Sequence, residues 1–277
     1  MTTREKPAAA HWRDRVESHH AQSEAVQDAS ALDDDFWRPF ASHFRLDPRR
    51  TDDPVLERLV RYIGPDQTVL DVGGGAGRFA LPMALRCCRV TLVDPSEGML
   101  DEARAGAGEA GIDNLTVVTG TWEEARVEPA DVVLCSHVLY GVAEVVPFIR
   151  KLEAHAIERV VVLKFINPPQ SRLSPFWKAV HDEERIEMPA LPELLSVLWE
   201  MGIYPDVEML EPREAHGYSG REEALDQLRR RLYVVPGTPE DDRLQTAIAK
   251  LTVETHNGLE IKGALPGRQG IVSWWTG

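Results

Sequence analysis

The chain of 277 residues carries 31 Lys and Arg against 45 Asp and Glu, a formal net charge of −14 with His neutral. Its 43% hydrophobic and 27% charged residues fit one large α/β domain or two small ones and exclude disorder as the main state. The acidic balance disfavours a large phosphate-backbone footprint, so no nucleic-acid partner is expected.

Residues 1–12 are polar and Ala-rich and read as a mobile tail. Residues 13–64 read as helices, with Asp33-Asp34-Asp35 an acidic start before Phe36-Trp37 and Pro54-Val55-Leu56 opening a stretch that runs to Ile63. From Thr68 the pattern changes to short β-branched runs separated by helical stretches, the alternation of parallel strands with helical crossovers. Seven strands are predicted, at 68–72, 90–93, 115–118, 131–135, 159–165, 207–210 and 270–275, with helices at 76–86, 97–109, 142–154, 175–187 and 192–201. Pro82 lies inside the first of these helices and marks a kink. Residues 211–268 break the alternation: two helical stretches, 221–233 and 239–255, flank Pro236-Gly237-Thr238-Pro239, as in an insertion before the last strand. Cys87 and Cys88 are adjacent and Cys135 stands alone, which gives neither a disulfide framework nor metal-ligand spacing. No run approaches the roughly 18–20 apolar residues of a membrane span. The start Met1-Thr2-Thr3-Arg4-Glu5-Lys6 lacks the apolar stretch of a secretion signal, so a soluble cytoplasmic protein with no membrane partner is expected.

The strongest local signal is Val69-Leu70-Asp71-Val72-Gly73-Gly74-Gly75-Ala76-Gly77-Arg78-Phe79, an apolar strand that ends in a glycine turn and opens a helix. Glycines there permit positive φ and let a ligand approach the backbone. A dinucleotide fingerprint needs G-x-G-x-x-G/A straight after the strand. Counted from Gly73 it fails at Arg78; counted from Gly75 it fits through Ala80, two residues too far from the strand end. Asp71, inside the strand end, suits loop amides or a ligand ammonium better than a pyrophosphate. A second strand ends in Asp94, followed by Pro95-Ser96-Glu97-Gly98-Met99. Its two carboxylate oxygens match the two hydroxyls of a ribose, which serves NAD equally well.

Together these two motifs resemble those of the class I S-adenosylmethionine-dependent methyltransferases, over about residues 65–210 plus the final strand. The resemblance implies a Rossmann-like, seven-stranded, mostly parallel sheet with helices on both faces. It sets Asp71, Gly73, Gly74, Gly75 and Gly77 against the methionine and ribose of the cofactor and Asp94 on the ribose. Pro95 and Met99 then flank the adenine, Thr121 and Trp122 meet its edge, and Ser136 lies where cofactor and acceptor meet. Trp122 fits a core position as well, and the chain lacks the commoner acidic residue there.

Methyl transfer from a sulfonium is an in-line displacement whose reactivity belongs to the cofactor, so the protein must align the acceptor and, where needed, take a proton. His137 and Tyr140, in the loop after the fourth strand, are the catalytic candidates, although helix capping would explain His137 too. His181, beside Asp182, Glu183 and Glu184, fits a solvated acidic helix face better. Asn167-Pro168-Pro169-Gln170 is similar to the Asn-Pro-Pro-aromatic motif of amino-group methyltransferases, but it lacks the aromatic residue and follows the fifth strand, so it reads as a rigid loop end.

The insertion leaves the sixth strand at the cofactor's edge, and His216, Tyr218 and Arg221 are its candidate substrate contacts. Arg229-Arg230-Arg231 reads as a solvated face. Trp37, Phe40 and Phe44 suit a second wall or plain packing. The expected organisation is an N-terminal tail and helices (1–64) and a methyltransferase domain (65–277) with a helical lid (211–268). The expected reaction is methyl transfer to a small-molecule acceptor, beside two alternatives, an NAD(P)-dependent oxidoreductase and a non-catalytic cofactor-binding regulator. The acceptor and the oligomeric state stay open.

Overall fold

The structure, a computed structural model, describes residues 6–27, 35, 37–212, 217–256 and 258–277. Its strands in chain order are β1 (Thr68–Val72), β2 (Arg89–Asp94), β3 (Leu115–Thr119), β4 (Ala130–Ser136), β5 (Ala156–Phe165), β6 (Asp206–Met209), β7 (Thr252–Thr255), β8 (Gly258–Ile261) and β9 (Gln269–Trp275). Seven of them form one sheet in the order β3-β2-β1-β4-β5-β9-β6. The first five strands pair in parallel, and β9 runs antiparallel between β5 and β6. Every predicted strand is present, and the order reverses between β1 and β4, where an open α/β sheet holds its ligand crevice at the carboxyl ends.

Alternate residues of the central strands face opposite layers. Leu70, Val72, Val133, Cys135, Val160 and Val162 pack under α1 (Ala8–Val26), α5 (Val145–His155) and α7 (Leu191–Glu200). Val69, Leu92, Val132, Leu134, Val161 and Leu163 pack under α2 (Pro54–Leu59), α3 (Ala80–Ala84) and α4 (Glu97–Ala110). Both faces are buried, as parallel sheets require. Among the described residues no helix is long and apolar enough to cross a membrane.

Four expectations need correction. The predicted tail is helical from Ala8: Trp12 and Val16 are fully buried, and the Trp12 indole N–H donates to the Val142 carbonyl at 2.8 Å. Ala-rich sequence next to one large aromatic is a docking helix here because the tryptophan finds a pocket against the sheet layer. The predicted helix 76–86 shrinks to Ala80–Ala84, since Gly73, Gly75 and Gly77 take φ of 70°, 54° and 77° and hold the chain in a loop to Phe79.

The insertion is not purely helical. Besides α8 (Arg221–Arg231) and α9 (Pro239–Leu251) it contains the β7–β8 hairpin, because Thr252-Val253-Glu254-Thr255 is a β-branched run that a helix disfavours. These elements share a separate apolar core with α6 (Ser174–His181), built on Phe176, Trp177, Leu228 and Leu244. The helix predicted at 175–187 therefore belongs to this side unit; it stops at Asp182, whose φ of 58° is left-handed.

Candidate active site

β1 ends in Val72, and the chain turns at once: Gly73 and Gly74 donate their N–H groups to the Val93 carbonyl at 2.7 and 3.3 Å. Gly75 then donates to Asp94 Oδ2 at 2.9 Å, while the Ser96 N–H donates to Asp94 Oδ1 at 2.9 Å. Asp94 thus ties the glycine loop to the start of α4. A Cβ on Gly75 would lie 2.8 Å from Met99 Cε, so the bare backbone is what lets loop and Met99 side chain meet. A Cβ on Gly73 would stand 2.3 Å from Val138 Cγ2, which brings the loop after β4 onto the same surface.

Both acids are perturbed by burial. Asp71 is almost wholly buried and pushed up to about 7 by desolvation and by the charge of Asp94; its Oδ1 has no hydrogen-bond partner. Asp94 is also raised by burial, against the pull of the Ser96 and Gly75 amides. Asp71 lies under the loop, where a Cβ on Gly74 would meet its Oδ2 at 2.7 Å. The bare glycines, the carboxylate at the β2 end and the apolar Met99 form a cradle that fits a nucleoside with an attached amino acid.

At the next strand end Ser136 closes β4, and His137 follows with a left-handed φ of 60° and its N–H on the Leu163 carbonyl at 2.9 Å. The imidazole stacks on Phe165 at 4.7 Å between centroids, and the Tyr140 hydroxyl stands 3.5 Å from its Nδ1. That hydroxyl accepts the Phe165 N–H at 2.8 Å. Burial, with the charges of Arg78 and Lys164, pushes His137 down to about 3, so the ring is neutral at pH 7. Burial raises the Tyr140 phenol well above its ordinary value.

Two groups near this strand end carried no earlier reading. Lys164, on β5, is 1% exposed, with Nζ 3.5 Å over the Tyr140 ring and no hydrogen-bond partner; burial holds it well below an ordinary lysine. Gln269, at the start of β9, is buried with Oε1 unpartnered. A lone charge in Val-Val-Val-Leu-Lys-Phe was the available signal for Lys164. Asp35, read from the sequence as part of an acidic helix start, also reaches the end of β2: it accepts the Ser96 hydroxyl at 2.6 Å and the Gly98 N–H at 3.0 Å.

Other predicted residues fall elsewhere. Trp122 is buried against α5, edge-on to His155 and with its N–H toward the Phe148 carbonyl at 3.4 Å, so it is a core residue and not an adenine contact. Thr121 is exposed, its carbonyl accepting the Ala125 N–H at 2.9 Å, and Pro95 is exposed beside Asp94. Arg221 is exposed and donates to the Gln245 carbonyl at 3.1 Å, which ties α8 to α9. Tyr218 is buried and exchanges both backbone hydrogen bonds with Leu259. His216, Asp33, Asp34 and Phe36 lie outside the described residues.

His181 Nε2 is 2.9 Å from the Leu232 carbonyl, a structural tie, and Arg229 makes a two-bond pair with Asp241 at 2.8 and 2.7 Å. Trp37 and Phe44 are exposed and meet edge-on at 5.8 Å, and Phe40 is half-buried.

Residues 69–156 match the family described as a methyltransferase domain. Among curated relatives, the chain is 32% identical over 122 residues to ribosomal RNA small subunit methyltransferase G of Neisseria gonorrhoeae, covering 40% of this chain and 58% of that protein. It is 35% identical over 94 residues to tRNA 5-carboxymethoxyuridine methyltransferase of Escherichia coli, which covers 32% of this chain and 36% of that one. The chain therefore spans between about a third and three fifths of these two relatives. Among solved structures it superposes on the YcgJ protein of Bacillus subtilis with a TM-score of 0.55 at 17% identity, over 79% of this chain and 97% of that one. The RNA-modifying relatives overturn the expectation, drawn from net charge, of no nucleic-acid partner: an acidic total says nothing about a local surface.

Proposed function

We propose, from the methyltransferase-domain match over residues 69–156 and the topology of the sheet, that this chain is a class I S-adenosylmethionine-dependent methyltransferase and transfers the cofactor's methyl group to a small acceptor held at the carboxyl ends of β4 and β5. The observation that carries this reading is Asp94, whose carboxylate takes the Gly75 and Ser96 amides beside a bare glycine loop. When bound, the cofactor supplies an electrophilic methyl group on a sulfonium, and the displacement needs an acceptor nucleophile in line with it.

On this reading the residues from Gly73 to Gly77 and Asp94 bind the cofactor, with Met99 against its base. Asp94 has its two oxygens engaged by amides and still offers lone pairs to ribose hydroxyls. Ser136 and His137 border the methyl group. A neutral imidazole held near 3 is a weak base, so it does not strip an unactivated hydroxyl; its bare nitrogen can accept from an amine N–H, and its N–H can donate to a carboxylate or phenolate oxygen. That favours a nucleophile already carrying its lone pair: an amine, a carboxylate or a phenolate. The Tyr140 hydroxyl, fixed by Phe165, orients the ring. The side unit of α6, α8, α9 and the hairpin covers the cleft as a lid.

The test is calorimetry of the purified protein with S-adenosylmethionine, S-adenosylhomocysteine and NAD(P)H, with Asp94→Ala as control. Micromolar binding of the first two, weakened at least tenfold in the variant, is expected. Binding of NAD(P)H alone would replace this reading with the oxidoreductase. Tight cofactor binding without turnover on amine, carboxylate, phenol and RNA panels would favour a regulator.

A further inference from the structure

The side unit contains a set of donors that have no partner among the described residues. The chain leaves β5 through Phe165, whose ring stacks on His137, and passes Asn167 and two prolines into a 3-10 turn, Pro169–Leu173. Within four residues of this turn Ser171 Oγ, Arg172 Nε and Ser174 Oγ are all buried without a hydrogen-bond partner. Arg231, the last residue of α8, and the buried phenol of Tyr218 lie within reach of the Arg172 charge, around the shared core of Leu173, Tyr218, Leu228 and Leu232. Both arginines are half-buried, and neither forms an ion pair or a side-chain hydrogen bond with any described residue.

Their sequence neighbours behave differently: Arg229 is locked onto Asp241 and Arg230 onto Asp226. Glu223, whose charge reaches Tyr218, is occupied by the Ser219 N–H and hydroxyl and by Gln227. In a chain with 45 acids and 31 basic residues, two neighbouring arginines with no counter-ion among the described residues are not a by-product of composition. Burial and, after it, the charge of Arg172 hold Arg231 below an ordinary arginine. Guanidiniums match planar or tetrahedral oxyanions with two parallel hydrogen bonds, and hydroxyls complete the shell.

We propose that Arg172 and Arg231, with the Ser171 and Ser174 hydroxyls and the Tyr218 phenol, form an oxyanion subsite that holds a phosphate or carboxylate group of a small acceptor. This deepens the methyltransferase reading and rests on it for the identity of the ligand as acceptor. Placement fits the role: the turn carrying Arg172 follows the strand whose end packs on His137, so an acceptor anchored at the arginines extends its other end toward the methyl group. The Arg268 carbonyl accepts the Ile166 N–H at 2.8 Å, fixing the base of that turn to the strand returning from the lid.

The test is calorimetry of the full chain at constant ionic strength, first with S-adenosylhomocysteine and then, on the loaded protein, with inorganic phosphate, succinate or a short oligoribonucleotide. Arg172→Gln and Arg231→Gln are compared with the parent, with thermal melting as the check on folding. Millimolar binding of phosphate or succinate, at least tenfold weaker in both variants while S-adenosylhomocysteine affinity holds, supports the subsite and tells the two anions apart. S-adenosylhomocysteine binding with no response to either anion, or a response that chloride reproduces, overturns the subsite and leaves the methyltransferase reading standing. Arginine-dependent binding of the oligoribonucleotide alone overturns the small-acceptor form. Absence of S-adenosylhomocysteine binding counts against the methyltransferase reading only, since the anion titration on the free protein still decides whether the arginines hold an oxyanion.

Discussion

Gly73→Ala tests the joint between the glycine loop and the loop after β4. The position has a φ of 70°, and an added methyl would stand 2.3 Å from Val138 Cγ2 and 3.3 Å from Cγ1. A left-handed conformation costs an alanine about 1–2 kcal/mol. Overpacking against a side chain that must move costs about 1–3 kcal/mol more. The variant should therefore lose about 2–5 kcal/mol in urea unfolding followed by tryptophan fluorescence. Val138→Ala in the same chain removes both offending carbons and leaves only Val138 Cβ at 3.4 Å, an ordinary contact. The double variant should recover the overpacking part and keep the backbone part, a coupling of about 1–3 kcal/mol in a double-mutant cycle. Strictly additive losses, or a Gly73→Ala protein as stable as the parent, would refute the contact. S-adenosylhomocysteine titration of the same four proteins would then show whether the shift in the loop reaches the cofactor.

Trp12→Ala should cost about 3–5 kcal/mol in urea unfolding, since the indole is fully buried and its N–H is paired; a loss under 1 kcal/mol would restore the tail reading. His137 gives a pH dependence of defined sign. Its ring stays neutral down to about 3 in the folded state but takes a proton near 6.5 when unfolded, so stability falls as pH falls through that window, by about 1.4 kcal/mol per unit. Asp71, raised to about 7 from 3.8, has the opposite slope: the folded state holds the extra proton, and stability falls as pH rises from 3.8 to 7. Between pH 6.5 and 5 these two slopes nearly cancel in the parent, so His137→Gln should gain about 2 kcal/mol relative to the parent over that interval, and an identical pH response would remove the histidine as a source. Lys164→Met should raise stability by about 1–3 kcal/mol, because a buried amine without a hydrogen-bond partner is exchanged for an apolar side chain of similar length; a destabilised variant would mean that the Tyr140 ring contact outweighs desolvation.

The linear sequence determined the sheet and the cofactor end of the site. Strands with near-continuous Val, Leu and Ile are legible because a strand buried on both faces has no alternation to disguise it, and the Asp71–Gly77 turn and Asp94 are legible because each sits at the end of such a strand. What failed did so where local pattern is silent about distant partners. Trp122 was assigned to the adenine edge by its position after β3, yet its direction is set by Phe148, Lys151 and His155 of α5. The N-terminal segment looked like a tail because helix propensity alone does not stabilise a short stretch in water; Trp12 does so by packing under residues more than a hundred positions away. The arginine run looked uniform, and only the fold separates Arg229 and Arg230, each beside a carboxylate, from Arg231, turned toward Arg172. Sequence thus determined which backbone turns a ligand can approach, because strand ends and glycines are local properties. Tertiary structure decided which charges remain unpaired near them, because pairing depends on groups that the chain brings together only when folded.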